Sequence, residues 1–132
     1  MIHTGHCLCG AVRFEVSGTP GWVAYCHCPS CRRHTASPVA CFVNYKLDNV
    51  RFTGTPGRYT SSPGVTRSHC ATCGTPIGYA TAQRADEIDL YLNAFDQPER
   101  FQPQLHVFFA DHIPWFDTRD DLPHHDAGVE TV

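Results

Sequence analysis

The sequence predicts a small, mainly β domain stapled by metal-binding cysteines, and three observations carry that expectation. Apolar residues alternate with polar ones over short runs, glycine and proline interrupt those runs, and the cysteines fall in close pairs. The chain has 132 residues, with 10 Gly, 10 Pro and 8 Cys. That length fits one domain, since domains most often run to about 100–150 residues. The core of such a domain is modest, so a metal clip that adds folding free energy is useful to it.

The elements follow in order. Val12, Phe14 and Val16 alternate with Arg13 and Glu15, a half-buried strand entered through Gly10. Residues 22–25 form a second apolar run that leads into the central cysteines. Residues 30–35 are polar and helix-tolerant and predict one short helical turn. Residues 39–45 are β-rich and end near the turn pair Asp48-Asn49. Val50 and Phe52 begin another strand, stopped by Gly54, Pro56 and Gly57. Short strands are expected over 58–60, 65–69 and 76–80, separated by Ser/Pro/Gly turns. Ile88, Leu90 and Leu92 then alternate with Asp89, Tyr91 and Asn93, and 106–110 reads as the last strand. The sum is an all-β sheet or sandwich. Residues 1–116 are expected to form the domain, and 117–132 a polar tail, flexible and poorly packed.

Composition narrows the function. The formal net charge is -3, so no basic surface points to nucleic acid. No stretch approaches the roughly 18 apolar residues of a membrane span. The N-terminus has no basic segment leading into an apolar one, so no secretory signal is expected and the chain reads as cytoplasmic. Reduced thiols in that setting act as metal ligands rather than disulfides.

The cysteines are Cys7-x-Cys9, Cys26-x-Cys28-x-x-Cys31, a lone Cys41, and Cys70-x-x-Cys73. Each close pair can set two thiolates on one tetrahedral zinc, and Gly74 after Cys73 lets backbone amides approach the sulfurs. Cys26, Cys28 and Cys31 are near enough to face one ion. Cys7 and Cys9 are then left to meet Cys70 and Cys73 in a closed four-thiolate site. A rival division pairs Cys28 and Cys31 with Cys70 and Cys73, but it strands three thiols, so spacing favours the first. Cys41, within VACFV, reads as a buried apolar cysteine.

The trio has three protein ligands and no obvious fourth, the pattern of a catalytic zinc with an open position. His27, His34 or Cys41 would make it a structural site instead. His27 is the weaker candidate, because an extended segment turns it to the opposite face from Cys26 and Cys28. Three thiolates on a divalent ion carry a net charge of about -1, which reduces Lewis acidity and disfavours water activation. A soft, thiolate-rich zinc suits a substrate thiol, held as thiolate and ready to attack a small electrophile. Arg32 and Arg33 beside the trio are candidates for binding a substrate carboxylate. His6, His106, His112, Tyr25 and Phe42 read as structural, and Trp115-Phe116 as core or edge cover.

The blocks GHCLCGAVRFEVSG, CHCPSCRR, RSHCATCGTPIGY and HVFFADHIPWF, in register from Gly5 to Phe116, resemble the glutathione-dependent formaldehyde-activating enzyme family. That family also includes the domain of centromere protein V. The resemblance implies an antiparallel β-tent fold and two zinc ions per chain. It implies a structural zinc on Cys7, Cys9, Cys70 and Cys73, and a reactive second zinc on Cys26, Cys28 and Cys31. It further implies a carbon–sulfur lyase activity, condensing glutathione with formaldehyde to S-hydroxymethylglutathione. The alternative is a non-catalytic zinc scaffold that binds a protein partner, as some relatives of the fold do.

Overall fold

The computed structural model describes residues 1–129. These form strands β1 (Ile2–His6), β2 (Arg13–Ser17) and β3 (Val23–Cys26), helix α1 (Pro29–Thr35), and strands β4 (Ala40–Lys46) and β5 (Val50–Thr53). Strands β6 (Gly57–Ser62), β7 (Val65–His69), β8 (Pro76–Thr81), β9 (Glu87–Tyr91) and β10 (Leu105–Val107) follow, with short 3-10 turns between some of them. The fold is mainly β, as expected. A three-stranded sheet runs β1-β2-β5, and a seven-stranded sheet runs β10-β3-β4-β9-β8-β7-β6. Pairing is antiparallel except between β10 and β3, which run parallel.

Alternation along the central strands sorts their side chains onto two faces. Val23 of β3, Val43 and Tyr45 of β4, and Ile88 and Leu90 of β9 enter one core with Phe14 and Val16 of β2. Their neighbours Ala24, Cys26, Phe42 and Tyr91 enter a second cluster, with Cys31 of α1 and Val107 of β10. Full burial stabilises by about 1.5–3 kcal/mol for each large apolar side chain. The larger sheet is therefore covered on both faces, and its second face holds the site described below.

The structure departs from the sequence reading at four points. Strand β1 carries no apolar alternation, yet it pairs along β2 from Ile2↔Ser17 to His6↔Arg13. Backbone pairing holds it, helped by the Thr4 hydroxyl, which donates to Asp96 Oδ2 at 2.6 Å. The last strand stops at Val107 rather than 110, because Phe108 turns to φ 53° and residues 109–111 form a 3-10 turn. Residues 117–129, expected as a loose tail, fold back along β10. The amide of His106 donates to Pro123 O and that of His125 to His106 O, while Phe109 and Phe108 donate to His125 O and Ala127 O. Backbone hydrogen bonds, the buried His106 and Val129 packed against the second cluster anchor that segment, whose largely polar composition concealed it. The expected tail residues 130–132 lie outside the described residues. Trp115, expected as cover, is 74% exposed.

Candidate metal centres and active-site cavity

Two turns bring the first four sulfurs together. The turn after β1 closes through Cys7 N to Val12 O and Gly10 N to Cys7 O. The turn between β7 and β8 repeats the device, with Cys70 N donating to Thr75 O and Gly74 N to Cys70 O. Gly10 and Gly74 both take left-handed φ, 82° and 81°, which glycine adopts at little cost. Amides then reach the sulfurs: Val12 N lies 3.2 Å from Cys7 Sγ, and the Thr72 and Cys73 amides lie 3.4 Å from Cys70 Sγ. The sulfur separations are 3.7 Å for Cys7–Cys9 and 3.8 Å for Cys9–Cys70. A tetrahedral zinc with bonds of about 2.3 Å spaces its sulfurs about 3.8 Å apart, so the four thiols fit one zinc ion.

Cys26, Cys28 and Cys31 form a second group, and their sulfurs lie within 4.8 Å of one another. Cys26 ends β3, Cys28 caps α1 in an extended conformation, and Pro29 starts the helix, so Cys31 turns back one turn later. The Cys31 amide donates to Cys28 Sγ at 3.2 Å, and the Cys26 and Cys31 sulfurs are 3.5 Å apart. Hydrogen bonding from the Cys26 and Cys31 thiols pushes the Cys28 thiol far below its ordinary range. This soft, sulfur-only group also fits zinc. None of the three suggested fourth ligands joins it. His27 faces away and bonds His106 Nδ1 through Nε2 at 2.8 Å, and His34 Nδ1 bonds the Tyr91 hydroxyl at 2.6 Å. Cys41 packs against the opposite core, and burial pushes its thiol up to about 12.

The trio lies in the wall of a cavity of about 420 Å³. Trp22, Phe42 and Tyr79 give the cavity apolar walls, and Gly128 and Val129 of the returning C-terminal segment line it too. The cation beside the sulfurs is Arg67 of β7, which is 6% exposed. Its Nη1 donates to Cys31 Sγ at 3.5 Å and to the Tyr91 hydroxyl at 3.2 Å, and its Nε to Ser61 Oγ at 3.1 Å. Burial works against this charge, but the Cys31 sulfur and Tyr91 more than offset that, and the guanidinium is held above its usual range. Arg67 also stacks over the Tyr79 ring at 5.0 Å. At the rim, Arg84 Nη2 donates to the buried Asp89 carboxylate at 2.7 Å, and Nη1 reaches Glu87 at 3.1 Å.

Arg32 and Arg33, the arginines singled out in the sequence, do not line this cavity. Arg32 spends Nη1 on the carbonyls of His27 and Asp111, the latter at 2.6 Å, and Arg33 is exposed. Helix geometry turns both away, because they follow Cys31 directly and successive helical residues point in different directions. Arg67, Arg84, Asp89 and Trp22 were missed. The one available signal was that Arg67 stands on the strand that feeds Cys70, where its side chain must point to one face of a covered sheet.

A search of curated proteins finds no match. Among solved structures, a structural-genomics crystal structure of a Rhodobacter sphaeroides protein is similar in fold, with a TM-score of 0.60 at 20% identity. The alignment covers 92% of this chain and 98% of that one. The family model for the glutathione-dependent formaldehyde-activating enzyme matches residues 2–111, a span that contains both cysteine groups. The chain therefore belongs to the glutathione-dependent formaldehyde-activating enzyme family.

Proposed function

We propose that the chain adds a small thiol, glutathione being the first to try, to formaldehyde or a similar small aldehyde. This is a carbon–sulfur lyase reaction in the reverse sense. The observation that carries the reading is the Cys26–Cys28–Cys31 group, which opens on a cavity of about 420 Å³ without a fourth metal-ligating side chain among the described residues. Zinc held by these three sulfurs would keep a guest thiol ionised at neutral pH. Cys7, Cys9, Cys70 and Cys73 would hold a second zinc whose role is to clamp the fold. The reduced thiols this requires suit a cytoplasmic setting.

In the reaction, the thiol loses its proton and its sulfur forms a bond to the aldehyde carbon. The C=O π pair moves onto oxygen, which takes up a proton, so thiol plus aldehyde gives the hydroxymethyl thioether. The apolar walls of Trp22, Phe42 and Tyr79 exclude water from the sulfur nucleophile. Arg67 lines the same cavity, and its Nη2 has no hydrogen-bond partner among the described residues. That nitrogen is assigned to the aldehyde oxygen, where negative charge develops as the C–S bond forms.

The test is exchange NMR of the purified protein with glutathione and isotopically labelled formaldehyde. Faster exchange between free and adduct forms than in buffer supports the reading. Unchanged exchange with glutathione and with other small thiols overturns it, in favour of the scaffold.

A further inference from the structure

A third cluster of ligating side chains lies on the outer side of β10, away from the thiols. His106 is fully buried, and its Nε2 faces the Asp120 carboxylate at 2.9 Å and 3.1 Å, with the Thr118 hydroxyl at 3.4 Å. His124 completes the group, and one ligand atom from each of the three residues lies within 4.8 Å of the others. The residues come from two segments, joined by the parallel bridge His106↔His124.

Three features distinguish this group from a chance encounter. The His124 ring is fixed, stacked on Phe109 at 3.8 Å, and Phe109 stacks in turn on His112 at 4.0 Å. Yet the His124 ring nitrogens have no hydrogen-bond partner among the described residues, so this immobilised imidazole has its donor atoms unspent. His106 is also held from behind, where Nδ1 bonds His27 Nε2 at 2.8 Å. An outer bond of that kind orients a metal-binding histidine and selects its tautomer. Finally, Asp120 and His124 are partly or largely open to solvent, which leaves an entry path and open coordination positions.

We propose that His106, Asp120 and His124 form a third cation site, for a first-row divalent metal ion, that fastens the C-terminal segment to β10. Two imidazoles and one carboxylate suit such ions and differ in kind from the two sulfur-only groups. With the ion on His106 Nε2, the ring's own proton lies on Nδ1 and is donated to His27 Nε2. His27 Nδ1, buried and without a hydrogen-bond partner among the described residues, then carries the His27 proton. Bonds of about 2.0–2.1 Å set the ligand atoms about 3.3 Å apart in a tetrahedron, so the 2.9 Å His106–Asp120 pair opens slightly and atoms as far apart as 4.8 Å close by roughly 1.5 Å. The site would steady Gly128 and Val129, the cavity wall a few residues beyond His124.

The test is equilibrium dialysis of the zinc-loaded protein against cobalt(II), with metal analysis and absorption spectra. The expected result is one cobalt retained per chain without loss of zinc, giving weak visible bands and no sulfur-to-cobalt charge transfer. Asp120→Asn keeps a hydrogen-bond acceptor for His106 but removes the anionic ligand, and His124→Ala removes an imidazole that anchors nothing by hydrogen bonding. Each should lose that cobalt with its zinc content and far-ultraviolet circular dichroism unchanged, while His125→Ala keeps it. No retained cobalt, cobalt taken up only as zinc leaves, or cobalt retained by both variants would overturn the site.

Discussion

Arg67 Nη1 lies 3.5 Å from Cys31 Sγ and 3.2 Å from the Tyr91 hydroxyl, so one nitrogen joins the thiol group to the wall of the cavity. Tyr91 is in turn bonded to His34 of α1 at 2.6 Å. The helix that presents Cys31 and the strand that presents Arg67 are thereby fixed relative to each other.

In the proposed reaction, Arg67→Gln keeps a polar side chain but loses the charge beside the developing oxyanion. Its turnover should fall by roughly 100-fold or more, the effect of removing one preorganised donor. Zinc content should be unchanged. Loss of zinc in step with activity would mean that Arg67 serves the thiol group's structure and not the reaction.

The two cysteine groups should respond differently to Cys→Ser. Cys70→Ser breaks a site that ties the β1–β2 turn to the β7–β8 turn, and structural zinc in small domains contributes on the order of 10 kcal/mol. That variant should be unfolded or insoluble. Cys28→Ser should lose activity and fold normally, because serine is itself a preferred helix cap and can accept the Cys31 amide as Cys28 Sγ does. Thermal melts and zinc analysis of both variants decide the matter, and equal destabilisation would sink the division of roles.

Arg84→Ala should be costly although Arg84 stands at the cavity rim. It leaves the Asp89 carboxylate, 2% exposed, with Asn44 Nδ2 at 2.8 Å as its remaining side-chain partner. Removing one member of a buried pair costs about 3–5 kcal/mol, read as a lower urea midpoint at constant slope. Adding Asp89→Asn should recover part of the loss. Strictly additive losses would show that the pair is uncoupled.

The two tryptophans should separate cleanly. Trp115→Phe should change stability by less than about 0.5 kcal/mol, as expected for a largely exposed side chain whose ring contact with Phe116 a phenylalanine can keep. Trp22 then remains as sole reporter in the cavity wall. Its emission should respond to glutathione added to the zinc-loaded protein and be unmoved by a tripeptide lacking the thiol. An equal response to both would place binding away from the sulfurs.

The sequence by itself determined the cysteine motifs that could hold zinc, because the geometry within each motif is local. Cys7-x-Cys9 and Cys70-x-x-Cys73 are each built by one tight turn with its own glycine, and Cys28-Pro29 starts the helix that returns Cys31 to its partners. The strands were legible for the same reason wherever apolar alternation was present, and β1 was missed where it was absent. Tertiary structure alone decided which cation meets the thiols. Arg67 and Cys31 are 36 residues apart, and they meet because β7, β8 and β9 pair in order beneath α1. Arg32 and Arg33, next to Cys31 in the chain, are carried away from the cavity by the rotation of the helix. Ligand spacing within a turn is set by covalent geometry, whereas the lining of a cavity depends on strand pairings between distant residues, which no local pattern encodes.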